Sequence, residues 1–182
     1  MKKIIISAVL AVFCLLTMMG CGSKNIYVFP DEVLELTGDS PEQRAENINR
    51  EENIFPVADY GEVYVNDDGQ LCYKLDEKQK NNWYEKGMNG LASVKLGFES
   101  GNKVFEYSDD LKELTVTADE EDSETTINYY VGEVLFVQFF GNDGDNLSLT
   151  TTVVDQDGNV LGVVKWPQTS GYFGDADTEK KK

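Results

Sequence analysis

The sequence contains no histidine, few bases and only three cysteines. Without imidazole there is no Ser–His or Cys–His nucleophile pair, no His-ligated zinc and no side chain whose ordinary titration falls near neutral pH. Lys and Arg number 16 against 33 Asp and Glu, a formal net charge of −17. Nucleic-acid binding rests on Lys and Arg against phosphate, so this balance excludes a nucleic-acid partner. Solubility accounts for the acidity, and a cationic partner is the sharper alternative. The sixteen glycines are scattered and form neither a phosphate loop nor a dinucleotide fingerprint. No catalytic residue, metal ligand or cofactor is expected on these grounds.

The amino terminus is more informative. Lys2 and Lys3 precede an apolar run from Ile4 to Met19, broken only by Ser7 and Thr17. The run falls short of the about 20 residues that a membrane-spanning helix needs. A basic start, a short apolar stretch and a small residue before a cut describe a secretory signal. Met18-Met19-Gly20-Cys21 resembles the lipobox of a bacterial lipoprotein, with Met18 where Leu is usual. The resemblance implies a signal peptide over 1–20, cleavage between Gly20 and Cys21, and a diacylglycerol on the Cys21 sulfur. Cys14 is the poorer candidate, because bulky Phe13 precedes it. A lipid-anchored protein on the extracytoplasmic face of a bacterial cell membrane is the implied location. Loss of Lys2 and Lys3 leaves the mature chain two units more negative. Loss of Cys14 and acylation of Cys21 leave Cys72 alone, so the fold stands without a disulfide.

The remainder divides into a lipidated N-terminus and polar arm over 21–59, an α+β domain over 60–167 and a disordered tail over 168–182. In the arm, Pro30 interrupts strand-type residues, and Ser40-Pro41-Glu42-Gln43 offers a helix start with a capping box, so that Arg44 to Arg50 is a short exposed helix or disordered. Val63 and Val65, then Leu71, Tyr73 and Leu75, alternate about Asp68-Gly69 and predict a hairpin. Asp76 and Gln79 form a second capping box. Trp83, Tyr84, Met88, Leu91 and Val94 then fall at helical spacing, with Gly97 as a stop. Val104 to Tyr107 is a short strand, and Leu114, Val116 and Ala118 mark a longer one. Thr125 to Phe140 is too long for a strand and reads as a buried helix capped by Asp122 or Ser123. The alternative is a bent strand or hairpin near Gly132. Leu147 to Val153 and Val160 to Trp166, joined by Asp157-Gly158, form a second hairpin. The simplest packing is one antiparallel sheet, built from both hairpins plus the middle strand, with two helices on one face.

Three loops invite a calcium reading: Asn66-Asp67-Asp68-Gly69, Asn142 to Asn146, and Asp155 to Asn159. None supplies the alternating oxygens and terminal Glu of an EF-hand, and turn chemistry explains them. Cys72 points away from Leu71 and Tyr73 and has no neighbouring base, so it reads as a structural thiol. Trp83, Tyr84, Tyr129, Tyr130, Phe136, Phe139, Phe140 and Trp166 are divided between core and a ligand or partner surface.

The lipobox, the segment Gly61 to Gly69 and the apolar run before the last hairpin together resemble small lipoproteins of Gram-positive bacteria. That group has no assigned activity, so the likeness transfers no functional residue. The expected function is a non-enzymatic binding or interaction module with an unassigned protein or small-molecule ligand. The alternatives are an immunity or inhibitor lipoprotein that binds a basic protein, and a carboxylate-dependent envelope hydrolase.

Overall fold

The computed structural model describes residues 23–118, 124–142, 144 and 146–167. The signal segment with Gly20 and Cys21, the expected cap at Asp122 or Ser123, Asp143, Asp145 and the tail over 168–182 lie outside them. The chain is α+β, with two sheets and five helices among the described residues. In chain order these are β1 (Asn25–Val28), α1 (Asp31–Thr37), α2 (Pro41–Arg50), α3 (Val57–Tyr60), β2 (Glu62–Val65), β3 (Leu71–Leu75), α4 (Glu77–Ser100), β4 (Phe105–Tyr107), β5 (Glu113–Thr117), α5 (Glu124–Gly141), β6 (Leu149–Val154) and β7 (Val160–Trp166).

The single sheet expected from the sequence is instead two. The first hairpin, β2–β3, takes β1 as its third antiparallel strand in the order β1-β3-β2. The second hairpin, β6–β7, joins β4 and β5 in the order β4-β5-β6-β7. β5 and β6 pair in parallel, with Leu114 opposite Thr151 and Val116 opposite Val153. Parallel neighbours need a long crossover, and α5 is that crossover. β3 already has a partner on each side, so the two hairpins cannot share it.

The segment expected as a polar arm belongs to the core. Phe29, Val33, Leu34, Ala45 and Ile48 are buried there, and Tyr27 of β1 sits opposite Tyr73. Pro30 ends β1 as expected, but the residues after it turn into α1 rather than continuing as a loose arm. The capping boxes form as read. Ser40 Oγ accepts from the Gln43 amide and Gln43 Oε1 from the Ser40 amide, at 3.2 and 3.0 Å. Asp76 Oδ1 and Gln79 Oε1 do the same for α4, at 2.9 and 3.0 Å. α4 runs through Gly97 to Ser100. Phe98, just past that glycine, packs on Phe105 and Tyr130 and holds the last turn helical.

α5 is the centre of the molecule. From Val131 to Phe140 every residue except Glu133 is buried. α1 and α4 both pack on it, and its crossings with them are close because each has a glycine. A Cβ at Gly132 would lie 2.6 Å from Thr37 Cγ2 of α1, and one at Gly87 of α4 would lie 2.7 Å from Val137 Cγ2. Gln138 is the buried polar side chain of α5. Its amide donates to the carbonyls of Leu111 and Ser148, and its oxygen accepts from the Ser148 amide at 3.2 Å. One side chain thus fixes the entries to β5 and β6, the two parallel strands.

Gly132→Ala is expected to destabilise the protein by about 1–3 kcal/mol, because the Thr37 side chain, held by its hydroxyl to the Leu34 carbonyl, must move. Gly97→Ala meets nothing within 4 Å and should stabilise by about 0.5–1 kcal/mol, since alanine suits a helix interior better. Urea unfolding of both variants checks the contrast; equal effects of the same sign would contradict the close crossing.

Candidate ligand cleft

A cleft of about 380 Å³ opens where α2, α4 and α5 meet. Its aromatic floor begins with Trp83, which helical spacing carries to the buried face of α4. The indole N–H donates to the Tyr60 carbonyl at 2.7 Å. Neighbouring Gln79 and Asn82 bind the carbonyls of Val57, Ala58 and Asp59, so α4 side chains satisfy the backbone of the one-turn helix α3. Phe55 stacks on Trp83 with ring centroids 5.0 Å apart, and Phe136 of α5 meets it edge-on at 6.0 Å.

Charged groups of both signs stand over this floor. Arg44 of α2 lies one turn before Ile48 and shares its inward face. Its guanidinium donates to Asp39 Oδ2 at 3.1 Å, stands 4.0 Å from Glu133 Oε1 and lies over the Phe136 ring at 5.2 Å. Burial opposes its charge, but Tyr73, Glu133 and Asp39 outweigh that and raise its pKa. Burial lifts the Glu133 carboxyl above its ordinary value, with Asp39 adding and Arg44 opposing. Lys86 of α4 presents its ammonium to the rings of Phe55 at 4.5 Å and Tyr60 at 5.9 Å. Glu51 and Tyr129 complete the rim.

Of the aromatic residues singled out in the sequence, Trp83, Tyr129 and Phe136 line this cleft. Phe139 and Phe140 are buried in the core, and Tyr130 packs against Phe98 and Phe105. Trp166 is half-buried at the end of β7. Tyr84 faces a larger cleft of about 700 Å³, shared with Glu77, Lys80, Asp110 and Gln138. That cleft is lined mainly by polar groups. Small-molecule sites are mostly apolar with a few converging polar groups, and the smaller cleft matches that description.

The turn segments are occupied by their own backbone. Asn66 Oδ1 accepts from the amides of Asp68 and Gln70, at 3.1 and 2.8 Å. Asp155 Oδ1 accepts from Asp157 and Asn159, at 2.9 and 2.8 Å. The Asn159 side chain, then its backbone amide, hold the Asp155 carboxyl below its ordinary value. Gly69 and Gly158 take the left-handed conformation that each turn requires. Among the described residues no three His, Cys, Asp or Glu side chains are placed to hold a metal ion. Cys72 is buried between Val28 and Tyr64, its register neighbours, and burial raises its thiol pKa.

Behind Arg44 lies a buried hydroxyl. Tyr73 is fully buried, and its Oη makes no well-formed hydrogen bond, although the Arg44 charge acts on it. Burial pushes its pKa well up, against the pull of Arg44. The native state therefore keeps this proton after unfolded chains have lost theirs. The stability it contributes is full below about pH 10, the ordinary tyrosine value, and is lost as pH climbs beyond it. Tyr73→Phe should match the parent at pH 7 or exceed it by about 1 kcal/mol, as removing a buried hydroxyl whose one polar neighbour, Arg44, is poorly aligned with it predicts. It should also lose less stability above pH 10. Denaturant titrations at both pH values check this, and a clearly weaker variant at pH 7 would show the hydroxyl to be partnered. Comparison with protein-family models, curated proteins and solved structures finds no match to this chain, so function is inferred from its own residues.

Proposed function

We propose that this protein is a lipid-anchored, extracytoplasmic binding module that takes a small ligand between α2, α4 and α5. The observation that carries the ligand site is the convergence of Arg44, Lys86, Glu51 and Glu133 on one aromatic floor. Paired charges of both signs over flat rings suit a zwitterion with an apolar body, such as an amino acid or short peptide. Cation–ring contacts in a partly desolvated site contribute about 0.5–2 kcal/mol each. A ligand ring can join the stack, while its carboxylate meets Lys86 and its ammonium meets Glu133 or Glu51.

The anchor reading is supported by Lys2, Lys3, the apolar run and Gly20-Cys21. No helix among the described residues is long and apolar enough to cross a membrane. Each buried acyl CH₂ is worth about 0.8 kcal/mol, so two or more chains on Cys21 hold firmly where one does not.

A carboxylate-dependent hydrolase is the second reading, favoured by one observation. Glu133 and Glu51 both line the cleft, and burial raises the Glu133 carboxyl above its ordinary value. In that case Glu133→Gln abolishes hydrolysis and spares binding.

Two measurements follow. Cys21→Ala should move the protein from the membrane fraction to the soluble or unprocessed pool, and membrane retention after normal cleavage would contradict the anchor. A thermal-shift screen of aromatic amino acids and dipeptides should raise Tm, and Lys86→Glu should remove the rise. No shift with any of them would remove the cleft from consideration as a zwitterion site.

A further inference from the structure

We propose that the outer face of the β1-β3-β2 sheet is seated on the lipid surface, an inference that rests on the Cys21 anchor. Register places Ile26, Val28, Cys72, Lys74, Glu62 and Tyr64 on that face, opposite the core-facing Tyr27, Tyr73 and Val63. Ile26 and Val28 are 58% and 44% exposed on an edge strand.

Two observations select lipid as the occupant. The first is the tether. β1 starts at Asn25, and only Gly22, Ser23 and Lys24 separate it from Cys21. Four residue steps span at most about 14 Å. The polar layer of each leaflet is about 5–7 Å deep. An acyl group at Cys21 therefore holds β1 against the headgroups, and β1 is the first element to arrive there. The second is charge. Lys24 and Lys74 both approach Glu62, at 3.8 and 3.3 Å. This face thus carries two bases to one acid, in a chain with 16 bases to 33 acids. An otherwise acidic protein turns its non-acidic, partly apolar face to the membrane, and the repulsion of its remaining surface is screened over about 8 Å.

Accessibility of a nitroxide distinguishes the occupants. The full-length chain, acylated in a bacterial host, is labelled at Ile26→Cys, at Val28→Cys or at the control Val160→Cys. Buried Cys72 is left in place. Each protein is reconstituted into phosphatidylglycerol–phosphatidylethanolamine vesicles and compared with its Cys21→Ala counterpart in solution. The ratio of collisions with oxygen to collisions with a water-soluble nickel chelate should rise severalfold at 26 and 28 and stay constant at 160. An unchanged ratio at 26 and 28 on protein that floats with the vesicles would overturn the seated face and leave the anchor standing. Shielding from both reagents would show a protein partner there instead, and overturn lipid as the occupant. Failure to float would overturn the anchor and this inference together.

Discussion

The structure depends on a helix that has almost no side to give to water. α5 is apolar almost all round, and such a helix must be covered on every face. α1 and α4 close on it through the glycine contacts at Gly132 and Gly87, and β6 also reaches it. Phe29, contributed by the turn after β1, meets both Phe136 and Phe139. The need to enclose α5 therefore draws the N-terminal segment into the core and leaves the two sheets to form around it.

Local chemistry was legible in the sequence. The capping boxes at Ser40 and Asp76, the two glycine turns and the helical reading of Thr125 to Phe140 rest on spacing within a few residues, and each forms. What escaped was pairing at a distance. Nothing near Leu114 or Val153 announces that their strands run parallel. Residues 25–50 look polar because the fully buried Phe29, Val33, Leu34, Ala45 and Ile48 and the partly buried Tyr27 and Leu36 are spread thinly over a long stretch. The helix expected there as exposed does have Ala45 and Ile48 as its apolar residues; their partners lie far along the chain.

The candidate site was legible only in part. Trp83 and Phe136 stand out in the sequence as aromatic residues suited to core or ligand surface, and the cleft uses them for both. Nothing in the sequence singles out Glu133 and Lys86, because single charges on helices are ordinary. A signal was present at Arg44, which shares a helical face with Ile48 four residues on. Its ion partner Asp39 precedes the Ser40 cap, so one turn of chain both starts α2 and neutralises its inward cation.

The burial of Cys72 has a consequence for chemistry between molecules. Reaction with oxidants and disulfide exchange require an accessible thiolate, and this sulfur is neither accessible nor easily ionised. Cys72 of one copy would therefore form no disulfide with that of a neighbour crowded against it. The sheet keeps its one thiol redox-silent.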